Sequence, residues 1–232
     1  MGKQRGTRKQ RPRQEDGALI PQASPTELEQ RLESLRIRSI NAETPSSSAC
    51  GDLEQRIAQF VCARAAHGKR GRLSSGAAER RVLLIGLAYY WDYPSALSFD
   101  ELPDFFLEYI AANNLQCYNS ILCNVYEQKA SRIGQHFDDI SVLQDGQVFS
   151  VSLALNAEDR HKRLADMIFT SPHGVERVHL RHGIDHAVVF DAFEDKASGR
   201  AHEVTGTLCP RINLTFRSLD PTKSNMYTAN KS

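Results

Sequence analysis

The chain has 232 residues, 41% of them apolar and 25% charged, with a net charge of +1. That length and apolar content suit one single-core domain and exclude two large ones. Its five cysteines form no CxxC pair and are odd in number, which argues against a zinc knuckle or a disulfide framework and for a reducing intracellular setting, nucleus or cytoplasm.

The first part of the chain is a tail by composition. Lys3, Arg5, Arg8, Lys9, Arg11 and Arg13 all precede the first acid, Glu15, and every aromatic residue lies at Phe60 or later. Residues 1–50 therefore bury little apolar surface and are expected to form a basic, mostly disordered tail. Within it, Pro25-Thr26-Glu27 with Leu28, Leu32, Leu35 and Ile37 reads as a short capped amphipathic helix ended by Pro45-Ser46-Ser47-Ser48. No apolar run follows the basic start, so no secretory signal is read there, and no stretch approaches the ~18 apolar residues of a membrane span. A soluble protein is expected, with a monomer favoured.

The folded domain is expected over 52–220, with 221–232 as a C-terminal tail. Leu53, Ile57, Phe60 and Val61 follow helical spacing, and a basic, glycine-rich loop from His67 to Arg72 comes next. Arg81 to Trp91 is rich in strand formers, whereas Leu102 to Asn113 carries Phe105, Phe106, Tyr109 and Ile110 at helical spacing. Beyond that helix the spacing predicts strands at 118–126, 147–155, 163–170, 175–182, 186–191 and 209–217. The sum is a mainly β domain with flanking helices, a sandwich or barrel.

Strand parity sorts the polar residues. In Arg211-Ile212-Asn213-Leu214-Thr215-Phe216-Arg217 the two arginines, Asn213 and Thr215 share one face, and the three apolar residues share the other. Two arginines on a core strand need an anionic partner, and a dicarboxylate ligand would be one. Asn124 and Tyr126 point the same way as each other, and both can hydrogen-bond a carboxylate. His136 and Asp138, two apart in an extended segment, can reach one metal ion, and His202 is the third ligand best placed by sequence. The histidines at 161, 173, 179, 182 and 186 read as surface or hydrogen-bonded residues.

Taken in order, Asn124-Val125-Tyr126, Arg132 to Asp139 (RIGQHFDD), Phe149 to Leu153 (FSVSL), His202 and Pro210 to Arg217 (PRINLTFR) resemble the AlkB-like branch of the iron(II) and 2-oxoglutarate dioxygenases. The resemblance covers about residues 80 to 218. It implies a double-stranded β-helix, or jelly roll, with His136, Asp138 and His202 as catalytic iron ligands. It also implies Arg211 on the distal carboxylate of 2-oxoglutarate, assisted by Asn124 and Tyr126, with Asn213 and Arg217 lining the same pocket.

The reaction implied consumes dioxygen and 2-oxoglutarate and demethylates alkylated DNA or RNA bases, releasing formaldehyde and succinate. Base-repairing members usually carry an acid two places after the metal aspartate, where this chain has Ile140. That departure leaves two alternatives open, a protein or small-molecule substrate and a catalytically inactive nucleic-acid-binding module of the same fold. Tyr89 and Trp91, in an aromatic cluster, are the expected base-stacking residues beside Ile140. The basic tail and loop would suit phosphate contacts of a single-stranded or flipped-base nucleic-acid partner.

Overall fold

The computed structural model describes residues 47–67, 80–88, 95–127 and 131–226. The basic tail with its expected helix, the loop 68–72, Tyr89, Trp91 and most of the C-terminal segment lie outside them. Among the described residues no helix is long and apolar enough to cross a membrane.

Two helices come early. Helix α1 (Ser47–Arg64) begins ahead of Asp52 and buries Ile57, Ala58 and Val61 completely, as the i, i+4 spacing predicts; Arg64 closes it, a cation in the last turn where the helix dipole favours one. Helix α2 (Asp104–Ala112) starts directly after Pro103, carries Asp104 in its first turn, and ends where Asn114 adopts φ +56°. It buries Phe106, Leu107, Tyr109 and Ile110. Both helices lie on the outer side of the larger sheet, in one core with Ile121, Cys123, Val125, Val151, Leu153, Ile212, Leu214 and Phe216.

The rest of the described residues build two sheets. The strands are β1 (Ala66–His67), β2 (Arg81–Ala88), β3 (Ala96–Leu97), β4 (Ser120–Tyr126), β5 (Ile133–His136), β6 (Leu143–Ala154), β7 (Ala165–Ser171), β8 (Gly174–Leu180), β9 (Val188–Asp191), β10 (Ala201–Val204), β11 (Arg211–Leu219) and β12 (Asn225–Met226). The larger sheet has eight strands in the order β1-β2-β4-β11-β6-β9, with β3 and β12 attached to β2; the smaller has the order β5-β10-β7-β8. All pairings are antiparallel except β2 with β3.

This is a jelly roll, a β sandwich whose second core fills the space between the sheets. Val82, Leu84, Val148 and Leu219 of the larger sheet meet Ala165, Met167, Phe169 and Leu180 of the smaller. Each strand of the larger sheet thus shows alternate residues to the helices and to the interior. Every residue of β11 is buried, because it pairs on both sides and has cores on both faces.

Three elements differ from the sequence expectation. Strands β5 and β10 are only four residues each, too short to show a period of two, and they become strands by pairing with each other across His136 and His202. A short helix, α3 (Ala192–Ser198), interrupts the expected run of strands. Asp191 caps it by accepting from the backbone N–H of Phe193 and Glu194, and Gly199 ends it at φ +71°. An Asp followed by a Gly at helical distance was a signal in the sequence for that turn.

Candidate metal and dicarboxylate site

Pairing of β5 with β10 puts His136 directly opposite His202, their ring centroids 4.3 Å apart. Asp138 follows just beyond the end of β5, with His136 Nε2 4.0 Å from its Oδ1. One ligand atom from each of the three residues falls within 4.8 Å of the others. Two bonds of about 2 Å to a shared ion at right angles span about 3 Å, so the three ligand atoms would draw in by about an ångström around an ion.

The imidazoles are prepared for such a role. His136 Nδ1 lies 2.9 Å from the carbonyl of Gly134, and a carbonyl can only accept, so Nδ1 donates to it and Nε2 is the nitrogen turned toward Asp138. His202 is buried against Phe190 and Phe169, centroids at 5.0 and 5.8 Å. Burial, with His136 nearby, pushes its pKa down to about 4, so it is neutral at physiological pH.

Asp138 stays anionic. Burial pushes its carboxyl up, but the Arg217 guanidinium together with His202 and His136 outweighs that and holds it below the usual carboxylate range. Arg217 Nη2 donates to both carboxylate oxygens, at 3.0 and 3.1 Å. Arg217 therefore stands at the metal end of the inward face of β11.

Arg211 begins the same face, six residues earlier, and its environment is the opposite. It is fully buried, and its Nε, Nη1 and Nη2 all lack a hydrogen-bond partner. Burial pulls its pKa down, yet guanidinium remains charged in proteins. Tyr126, paired with Arg211 across β4, lies with its ring centroid 4.0 Å from Cζ. That contact, with the nearby Tyr126 hydroxyl, eases the buried charge without neutralising it.

Asn124 is the next inward residue of β4 and pairs with Asn213; its side-chain oxygen is also buried without a partner. On the other flank, β6 presents Ala154 and Ser152 opposite Arg211 and Asn213, and the Ser152 hydroxyl is unpartnered. Asn213, by contrast, is engaged within the protein. Its amide donates to Ser150 Oγ and the Val151 carbonyl, and its oxygen accepts from Thr215.

The strand set thus brings His136, Asp138, His202 and Arg217 together at one end of the interior, with Arg211, Tyr126, Asn124 and Asn213 along the same face toward the other. Ile140 lies in a 3-10 turn, Ile140–Val142, and packs against the interior core. Phe169 and Phe190 were not legible as site residues, since Phe169 reaches His202 through the pairing of β7 with β10 and Phe190 reaches it across the interior from the larger sheet.

No protein-family profile and no curated protein matches the sequence. Solved structures do match. OsALKBH1 superposes with a TM-score of 0.50 at 16% identity, covering 75% of this chain and 94% of that one. A 2OG-Fe(II) oxygenase family oxidoreductase from Burkholderia pseudomallei gives 0.43 at 11% identity over 84% and 92%. A Trichoplax adhaerens prolyl hydroxylase, in complex with a hypoxia inducible factor oxygen degradation domain peptide fragment, gives 0.47 at 14% over 87% and 96%. At such identities it is the fold that is shared: this chain has a jelly roll that superposes on that of OsALKBH1.

Proposed function

We propose that this protein is an iron(II)- and 2-oxoglutarate-dependent dioxygenase that removes methyl groups from alkylated nucleic-acid bases. The observation that carries the cofactor half is Arg211: a fully buried guanidinium with three unpartnered nitrogens requires an anion, and a His-Asp-His triad lies along the same interior. A buried lone cation is otherwise a cost without a return. The distal carboxylate of 2-oxoglutarate would satisfy it, with Asn124 and Tyr126 at its sides.

His136 Nε2, Asp138 and His202 would hold the ion, two neutral nitrogens and one carboxylate on one face, a donor set suited to non-haem iron(II). When bound, iron and 2-oxoglutarate would supply the oxidising power together with dioxygen, one atom of dioxygen ending in succinate as carbon dioxide leaves and the other in the methyl C–H bond. The resulting N-hydroxymethyl group releases formaldehyde and leaves the unmodified amine. Arg217 keeps Asp138 ionised and oriented. Phe169 and Phe190 exclude water around His202. His136, with over a third of its side chain exposed, is the ligand on the open side, where substrate arrives.

The nucleic-acid half rests on the AlkB-like sequence motifs and the basic N-terminal residues. Ile140 favours a second reading, a protein or small-molecule substrate, because no acid stands there to meet a base. One assay separates them: protein with ferrous iron, ascorbate and 2-oxoglutarate on methylated single-stranded DNA and RNA, following succinate and formaldehyde. Formaldehyde in step with succinate supports base demethylation. Succinate alone favours the second reading, and no succinate at all defeats both.

A further inference from the structure

A cleft of about 370 Å³ opens between the edge strands β8 and β9, beside the triad and not over it. Phe169, Val178, Val188 and Val189 give it apolar surfaces, and Glu176, His186 and Arg200 supply polar groups. Phe169 belongs to both places, since its ring also packs on His202. Polar groups make up more of its exposed lining than the apolar walls do, and its volume would take one planar ligand group.

Arg200 is the unusual member. It precedes β10 and lies two residues before His202. Its Nη1 donates to Asp195 at 2.7 Å and its Nη2 to Glu176 at 2.6 Å. Its backbone N–H is tied to the Asp195 carbonyl at 2.8 Å. Cζ sits 3.8 Å over the Phe169 ring. Two hydrogen bonds and one stacked ring fix the guanidinium, which still lines the cleft and is partly exposed.

We propose that this cleft is a base-stacking site: a nucleobase next to the one being oxidised stacks on the guanidinium of Arg200, extending the Phe169–Arg200 pair into a three-layer stack. The proposal rests on the nucleic-acid reading above and adds the residue that receives the neighbouring base. Guanidinium planes and aromatic rings are the surfaces on which unstacked bases are held. Glu176 and His186 offer an acceptor and a donor to the base edge, where an apolar protein side chain would use neither. Arg200 lies just before β10 and two residues from His202, a backbone separation of at most roughly 7 Å, about the spacing of adjacent nucleotides in an unstacked strand.

The test uses the full-length protein and a methylated single-stranded oligonucleotide carrying 2-aminopurine beside the methylated base, whose fluorescence falls on stacking. Wild-type protein should quench it. Arg200→Lys keeps the charge but loses the plane, and should lose the quench and bind roughly tenfold more weakly. Val189→Trp fills the cleft from its exposed wall without touching either ion pair, and should do the same while retaining iron binding. Quenching and affinity equal to wild type in both variants overturn the proposal, as does displacement of the base by a tryptophan peptide at lower concentration than by adenosine monophosphate. Demethylation without any quench sinks the cleft alone. An oligonucleotide neither bound nor oxidised sinks the substrate reading and the cleft with it.

Discussion

Two buried charges in this jelly roll are treated in opposite ways. Asp166, on the outer face of the smaller sheet, is 3% exposed and accepts from Arg163, from Arg177 Nη1 at 2.9 Å and from His179 Nδ1 at 2.8 Å. Burial raises its carboxyl, but His179, Arg163 and Arg177 together outweigh that and hold it below the ordinary carboxylate value. Arg211, on the inner face of the larger sheet, is equally hidden, has Tyr126 beside it and no carboxylate partner, and none of its three guanidinium nitrogens makes a well-formed hydrogen bond. A satisfied buried charge is explained by the fold, whereas an unsatisfied one has to be explained by something the fold receives. Asp138 stands between them, matched by Arg217 and still open toward the two imidazoles.

The largest effect should come at the triad. His136→Ala removes a ligand from the ion and should abolish turnover, measured as succinate released; full activity in that variant would mean the ligand assignment is wrong. Next is Arg211→Met, which should raise the 2-oxoglutarate KM on the order of a hundredfold, since a charge-assisted, desolvated pair is lost. The same change should raise the Tm of the ligand-free protein, because an uncompensated buried cation is replaced by a side chain of similar shape. A fall in Tm would show that Arg211 is already satisfied.

Asp166→Asn should behave in the reverse sense, costing about 1–3 kcal/mol of stability with turnover per folded molecule unchanged. Its sign with pH follows from the lowered carboxyl: the stabilisation is present above the unfolded value of 3.8 and is lost as pH falls through the lower folded one. Acid unfolding curves of wild type and Asp166→Asn should therefore converge at low pH, and curves that stay parallel contradict the ion-pair account. The smallest effect, about 1 kcal/mol, is expected for Glu54→Gln. Glu54 is another buried carboxylate, met by His182 Nε2 at 3.0 Å and the Ile184 N–H at 3.0 Å. Chemical denaturation reads that loss, which should leave the 2-oxoglutarate KM unchanged.

Much of this was legible in the sequence because β11 is long and central. Its alternation of Arg211, Asn213, Thr215 and Arg217 with Ile212, Leu214 and Phe216 is reproduced in the two cores, and Asn124 and Tyr126 share its inward face. The helices at Ile57 and Phe106 followed from apolar spacing. What was not legible came from pairing across distance. Strands β5 and β10 are too short to declare themselves, so the contact between His136 and His202 was a matter of motif order. Parity also could not tell that Arg217 would meet Asp138 and Asn213 would turn to Ser150, while Arg211 would be left unmatched. The likeness of Asp166 and Arg211 in burial, and their difference in partners, exists only in three dimensions.

The most direct test of that difference is thermal unfolding with manganese(II) in place of iron, so that no turnover occurs, with and without saturating 2-oxoglutarate. Wild-type protein should be stabilised by about 2.7 kcal/mol at a ligand concentration of 100 Kd. Arg211→Met should start higher and gain little or nothing. A variant that is stabilised as much as wild type, or a wild type that does not respond, would contradict the assignment of Arg211 to a dicarboxylate.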